Sequence, residues 1–582
     1  MTDSNKYKIS ASAASWLSTA FMAIVLYAFV ATVLRYQLCQ MEHVSIHYCD
    51  WGGLVDAVTQ WGGLSRWLAG LLISYFPHKA LGPLMFCLPF YIIIIALQVC
   101  VRQQKPIGFI LAMMVSFAQL FSQIDFDYSF SGSVSAAMVA ISVAALSMIE
   151  NLNLKYMTFV LLIPVLYWFG SSDGIIFYVI GIIIMGNCSK WICSILLPSI
   201  AVTAMAAVLY WAGIANTTYH LFTPEAFYHP VLPMGDAHWV GWIALLAWAL
   251  IVRFMPRLKS LNNIFPQILF LCISIAALWS MTMLVSKDNM RLWRLNHLAY
   301  TGQWDEILRL HSERQTNLIM MNYTNLALAH RHKLADQAFG YHPYTPAALM
   351  VQPNESGSVR MLLSDIHYAM GNIAESQRHA FEAMVSNATD AGVQCLERLV
   401  QTNIIQGRYR VAEKYIDMLS RTIGHSQWAE KQHRLLYNDR AVEEDAEYGS
   451  LRRCINKYSD RLAKYEGLQP IMEDVIASNG SFDAAREYLG MSILLQKDLA
   501  GFKSFAEKYY SNGCQLTMPR SFQEAVIVAY GNDEDAWRNY GVSQQVVENY
   551  HNFVRQYTNS NGNKQSLKQY YNTYWYYLNF VK

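Results

Sequence analysis

Residues Arg35 to Lys79 read RYQLCQMEHVSIHYCDWGGLVDAVTQWGGLSRWLAGLLISYFPHK. This stretch holds Arg35, Glu42, Asp50, Asp56, Arg66 and Lys79, six of the 24 charged side chains in residues 1–289. On either side, residues 15–34 and 81–101 contain no charged side chain at all. A run of about 20 apolar residues is long enough to cross a bilayer as a helix. A loop rich in ionisable groups between two such runs is the signature of a membrane protein that concentrates its chemistry at one surface.

The pattern continues outward from that loop. Nine apolar segments, at about 15–34, 81–101, 106–121, 134–149, 156–170, 175–186, 191–213, 239–254 and 264–285, are expected to cross the membrane. The first lacks a small-residue cleavage site and is followed by further spans, so it reads as a retained helix. Segments 156–170 and 175–186 are short and joined by Ser171-Ser172-Asp173-Gly174, which leaves two full spans or a re-entrant pair. Over 582 residues the chain is 54% hydrophobic and 15% charged, with mean hydropathy +0.17, too apolar for an ordinary soluble protein. Residues 290–582 nevertheless hold 62 of the 86 Lys, Arg, Asp and Glu side chains. The fold class that follows is all-α: a polytopic transmembrane helical domain, 1–289, with an acidic first outer loop at 35–80, and then a soluble α-solenoid, 290–582. A net charge of +2 excludes a general nucleic-acid surface.

Basic residues in the loops set the orientation. Lys6, Lys8, Arg102, Lys105, Lys155, Lys190, Arg253, Arg257 and Lys259 fall on one side, and Asp125, Asp127, Asp173, Glu225 and Asp236 on the other, with Arg35, Arg66 and Lys79 confined to the mixed first loop there. The N-terminus is therefore expected in the cytoplasm. Nine spans then place the C-terminal domain outside, in the periplasm of a bacterial inner membrane, with the lipid bilayer as the first partner.

Within the first loop, Trp67, Leu68, Leu71, Leu72 and Tyr75 recur at helical spacing beside Arg66, which predicts a helix lying in the interface. The two Trp-Gly-Gly-Leu tetrads, from Trp51 and from Trp61, are expected to be turns anchored by tryptophan, with carbohydrate stacking as the alternative. Asp125 and Asp127, two apart, would point to one side of an extended segment and present two carboxylates to a divalent cation or a substrate. Residues 214–238 hold Thr217, Thr218, Tyr219, His220, Glu225, His229 and Asp236, and line a cavity or form a surface cap. Of the ten cysteines, Cys39 and Cys49 share the first loop and are able to pair there; Cys395, Cys454 and Cys514 are scattered, with no metal spacing.

From Asp288 onward the pattern becomes paired amphipathic helices, with turn glycines at Gly302, Gly371, Gly407 and Gly480. Their separations of 69, 36 and 73 residues lie near multiples of 35, which resembles tetratricopeptide repeats. One helix pair cannot bury its apolar face alone, so stacking into six to eight pairs is expected, with a concave surface for periplasmic proteins or peptides. His311, His330, His332, His342, His367 and His379 read as a solvated scatter, with a metal site as the minority alternative. The tail from Tyr570 to Phe580 is dense in aromatics and is expected to pack on the solenoid or return to the membrane interface.

This layout resembles the GT-C class of membrane glycosyltransferases, which use polyprenyl-phosphate sugar donors at the outer face. The resemblance implies a catalytic base at Glu42, or at Asp50 or Asp56, and a divalent cation (Mg or Mn) at Asp125 and Asp127. Inverting glycosyl transfer also needs cations for the departing phosphate, for which Arg35, Arg66 and Lys79 are the candidates, assisted by His43 and His47. The whole chain also resembles a family of bacterial polytopic membrane proteins with an acidic first loop, tetratricopeptide-like helices and a Tyr-Trp-Tyr-Tyr ending, which brings no assigned activity. The rival to an enzyme is a membrane-anchored scaffold for cell-envelope assembly. A transporter ranks third, because the interiors of the expected spans hold no Asp, Glu, Lys or Arg.

Overall fold

The computed structural model describes residues 11–101, 105–185, 191–214, 218–228, 237–254, 265–311, 317–386, 392–455, 468–511 and 516–581. Lys6, Lys8, Arg102, Lys190, Thr217, His229, Asp236, Arg257, Lys259 and Cys514 lie outside the described residues. Every regular element among the described residues is helical, and the one β-bridge, Tyr128 with Tyr228, is isolated. The chain divides into two compact units: among the described residues, the first runs to Met290 and takes in Ser420–Ser426, and the second contains the others.

The first unit contains α1 (Ala11–Val33), α2 (Arg35–His43), α3 (Trp51–Thr59), α4 (Gly63–Ile73), α5 (Leu81–Cys100), α6 (Lys105–Ser122), α7 (Phe130–Met148), α8 (Leu152–Phe169), α9 (Asp173–Met185), α10 (Trp191–Trp211), α11 (Thr218–Phe222), α12 (His238–Phe254) and α13 (Phe265–Leu284). Four of these helices, in α1, α5, α7 and α8, are long and apolar enough to cross a membrane, and a fifth counts if α13 and Lys287–Tyr300 form one bent span. The apolar helices within α4, α6, α9, α10 and α12 are shorter.

Helix α7 is the centre of this unit, packing against α4, α5, α8 and α9. Its sequence explains why: Ser131, Gly132, Ser133, Ser135, Ala136 and Ala137 are all buried, and small residues let helix backbones approach closely without bulky side chains between them. Gly170 marks one such approach, where its carbonyl accepts a 2.6 Å hydrogen bond from Ser135 Oγ. The loop helices are pinned to the bundle by Phe76, whose ring lies 5.8 Å from Phe86 and 5.3 Å from Phe130. Trp168 Nε1 donates to the Val58 carbonyl at 2.9 Å, and the Gly62 amide donates to the Trp168 carbonyl at 2.7 Å.

The expected interface helix is α4, but its inward face is the small one, Ser65, Ala69, Gly70 and Ile73, while Trp67, Leu68, Leu71 and Leu72 are half-buried. The two tetrads differ from the expectation of paired turns. The first is the opening turn of α3, because Asp50 caps it by accepting from the Gly53 amide at 2.8 Å. Only the second turns, with Gly62 in the left-handed region at φ +67°. Trp51 is exposed, and Trp61 packs 6.0 Å from Tyr167. Cys39 and Cys49 are both free thiols.

The second unit is built from helix hairpins: α14 (Lys287–Tyr300) with α15 (Trp304–Arg309), α16 (Leu318–His330) with α17 (Leu334–Gln337), α18 (Gly357–Ala369) with α19 (Ile373–Ser386), and α20 (Val393–Ile405) with α21 (Tyr409–Ser420). Further helices run at Leu468–Ser478, Asp483–Leu495, Leu499–Tyr510, Arg520–Tyr530 and Gln544–Asn559. Gly302, Gly371 and Gly407 end their helices left-handed, and the residue after each glycine donates back five residues, as Asn372 does to the His367 carbonyl at 2.9 Å. His332 and Lys497 take the same conformation without being glycine. The aromatic tail ends in the helix Tyr574–Phe580, whose Tyr574, Trp575, Tyr576 and Tyr577 are buried within this unit. Its first amide is capped by Glu524 at 2.7 Å, and Tyr577 Oη donates to the Leu495 carbonyl at 2.8 Å. The tail therefore packs on the helices of its own unit.

Candidate functional site

Short helix α2 follows α1 after a break at Leu34 and carries Glu42 in its last turn. The carboxylate is 5% exposed and held from two sides. His43 Nδ1 lies 3.1 Å from Oε2, and His425 Nε2 lies 2.5 Å from Oε1. Burial alone would raise the pKa of Glu42. The hydrogen bonds from His425 and His43, with the charge on those rings, outweigh it and hold the carboxyl down at about 2. Glu42 therefore stays ionised at any ordinary pH. It bonds both imidazoles, His43 through Nδ1 and His425 through Nε2, and so fixes the orientation of the two rings.

A third histidine closes this region. His47 is half-buried, with Nε2 3.0 Å from Ser45 Oγ, and burial pushes it down to about 4 although the charge of Glu42 opposes the change. It packs against Gly70, where a Cβ would come within 2.5 Å of its Nδ1. Glycine is what lets α4 approach the loop here. At the edge, Arg421 makes a two-pronged contact with Asp50, Nε to Oδ2 at 2.8 Å and Nη2 to Oδ1 at 3.1 Å, and lies 4.3 Å over the Tyr48 ring. The Arg421 carbonyl accepts from the Cys49 amide at 3.2 Å. Hydrogen bonding to Arg421 and to the Gly53 amide keeps Asp50 at about 2.

The remaining expected site residues lie around this centre in different roles. Arg35 spends its guanidinium on the carbonyls of Phe76, at 2.8 Å, and of Pro77. Arg66 donates to the Trp61 carbonyl at 2.9 Å. Asp56 and Lys79 are exposed. Asp125 accepts a 2.5 Å hydrogen bond from Tyr228 Oη, and its other oxygen accepts from the Asp127 amide at 3.2 Å. That local bond folds residues 125–127 into a turn in place of the expected extended segment. Among the described residues, no third His, Cys, Asp or Glu donor joins the two aspartates at metal-ligand separation.

His425 and Arg421 were not singled out in the sequence. They lie 383 and 371 residues from their partners, in a short polar stretch between two helices. No spacing rule connects groups so far apart.

Fold and site together define a protein that is all-helical over the described residues, with several helices able to cross a membrane and a buried carboxylate, Glu42, held between His43 of the first loop and the distant His425. The chain belongs to the family described as "Family of unknown function (DUF6057)", whose profile matches residues 8–581. No curated protein and no solved structure matches it.

Proposed function

We propose that the protein is a GT-C-like glycosyltransferase of the bacterial inner membrane, taking sugar from a polyprenyl-phosphate donor at the outer face. The observation that supports this reading is the ionised Glu42 between His43 and His425, in the loop that follows the first apolar helix. In the proposed reaction the acceptor hydroxyl attacks the sugar C1. The C1–O bond to the phosphate breaks, the new C1–O bond forms, and polyprenyl phosphate leaves. The hydroxyl proton goes to an imidazole that Glu42 orients, so Glu42 acts as the positioning carboxylate of a base pair.

In this reading nine helices cross the membrane, the N-terminus is cytoplasmic, and the C-terminal hairpins form a periplasmic tetratricopeptide-like array. Asp125 and Asp127 hold Mg or Mn, and Lys79, with the histidines, meets the donor phosphate. Mass profiling of envelope glycans and polyprenyl-linked sugars in Glu42→Gln, His425→Gln and Asp125→Asn strains tests it, each strain checked for normal membrane abundance. Loss of one glycan with accumulation of its donor is the expected result. Unchanged profiles, where deletion of the whole protein has a phenotype, favour the second reading: a membrane-anchored scaffold. The left-handed hairpin turns at Gly302, Gly371 and Gly407, typical of stacked helical repeats, support that alternative.

A further inference from the structure

The α18–α19 hairpin holds a second cluster of ionisable groups, wholly within the second unit. His367 lies in the last turn of α18, and Glu375 and His379 lie one turn apart on α19. The left-handed Gly371 and the bond from the Asn372 amide to the His367 carbonyl close the turn, which holds His367 against the start of α19. All three side chains are buried, contrary to the expectation of solvated histidines, and one donor atom from each lies within 4.8 Å of the others.

One feature distinguishes this cluster from an ordinary polar core. Nδ1 of His367 is buried without a hydrogen-bond partner, whereas Nδ1 of His379 faces Glu382 Oε2 at 3.5 Å. A buried polar atom left unmet is costly, and its retention calls for an explanation.

We propose that His367, Glu375 and His379 form a binding site for one zinc ion, with a fourth position left for water or another small ligand. Two imidazole nitrogens and one carboxylate oxygen suit zinc, whereas magnesium and calcium favour all-oxygen shells. His379 Nε2 and Glu375 Oε2 are 3.9 Å apart. Zinc bonds of about 2.0–2.2 Å require those atoms to draw closer by roughly half an ångström, and the nearly parallel rings to rotate. In the metal-free protein a resident cation sits on these same two atoms. Arg378 Nη2 is 2.5 Å from Glu375 Oε2 and 3.0 Å from His379 Nε2. Its Nη1 also reaches Glu382 Oε1 at 2.6 Å, so the guanidinium keeps a partner when zinc displaces it.

The test uses the full chain purified in detergent, stripped with a chelator and titrated with Zn²⁺ alone and Co²⁺ alone. About one zinc per chain is expected, with the visible absorption of four-coordinate Co²⁺. His367→Gln with His379→Gln removes both signals. Arg378→Gln removes the competing cation and tightens zinc binding by about tenfold or more. If the His variants fail to fold, by circular dichroism and gel filtration, the cobalt spectrum and the Arg378→Gln arm decide the matter. The proposal is overturned if neither wild type nor Arg378→Gln binds zinc, or if binding persists in a folded double-histidine variant. In the first case Arg378 is simply the permanent counterion of the cluster.

Discussion

Replacing Glu42 by Gln removes the charge that holds His43 and His425 while keeping the size of the side chain. In an unfolded chain a glutamate titrates near 4.5, and in this site near 2. That difference corresponds to roughly 3 kcal/mol of stabilisation at about 1.4 kcal/mol per pKa unit. The folded pKa is depressed, so this stability is fully present above pH 4.5 and is lost as pH falls from there towards 2. The amide retains some hydrogen bonding, so local opening is expected to rise between about tenfold and a hundredfold in Glu42→Gln. Hydrogen exchange of residues 44–50 and 420–426 in detergent, corrected for intrinsic rates, measures it; the Cys49 amide, bonded to the Arg421 carbonyl, is the most direct reporter. Wild type should lose protection below pH 4.5, and Glu42→Gln should start lower and stay flat. Parallel pH curves for the two proteins would refute the reasoning, because the carboxylate would then contribute no pH-dependent stability.

Two further perturbations test the second unit. Gly371 and Gly407 are both left-handed, at φ +80° and +72°, but an alanine Cβ at Gly371 meets Cys454 Sγ and the Phe482 ring at 3.0 Å, whereas at Gly407 it meets nothing within 4 Å. Gly407→Ala should cost about 1–2 kcal/mol from backbone conformation alone, and Gly371→Ala measurably more from overpacking, read from urea unfolding of the full chain. Trp575 is 1% exposed, so Trp575→Ala should destabilise this unit by about 3–5 kcal/mol and expose residues 570–581 to limited proteolysis.

Local chemistry was legible wherever residues near in sequence settle the structure. The apolar runs around Arg35–Lys79 are helices, and Gly302, Gly371 and Gly407 mark hairpin turns because only glycine enters the left-handed region without penalty. His332 and Lys497 make equivalent turns, at φ +52° and +59°, yet nothing in their identity announces it. The tetrad at Trp51 was misread because Asp50, immediately before it, caps a helix that two glycines would otherwise discourage. Strand alternation would put Asp125 and Asp127 on one side of an extended segment, but an aspartate bonding the amide two residues on makes a turn.

The sequence by itself determined the apolar helices, the separation into a charge-poor and a charge-rich half, and the location of the ionisable first loop, since each follows from composition and short-range periodicity. Tertiary structure alone decided what Glu42 is. An acidic side chain in a loop is ordinarily solvated, and this one is buried and ionised because His425 arrives from 383 residues away. Likewise, His367 and His379 are ordinary helix residues in sequence and become a buried pair only when α18 folds back on α19. Desolvation and hydrogen bonding act over a few ångströms, and chain folding, not sequence spacing, sets those distances.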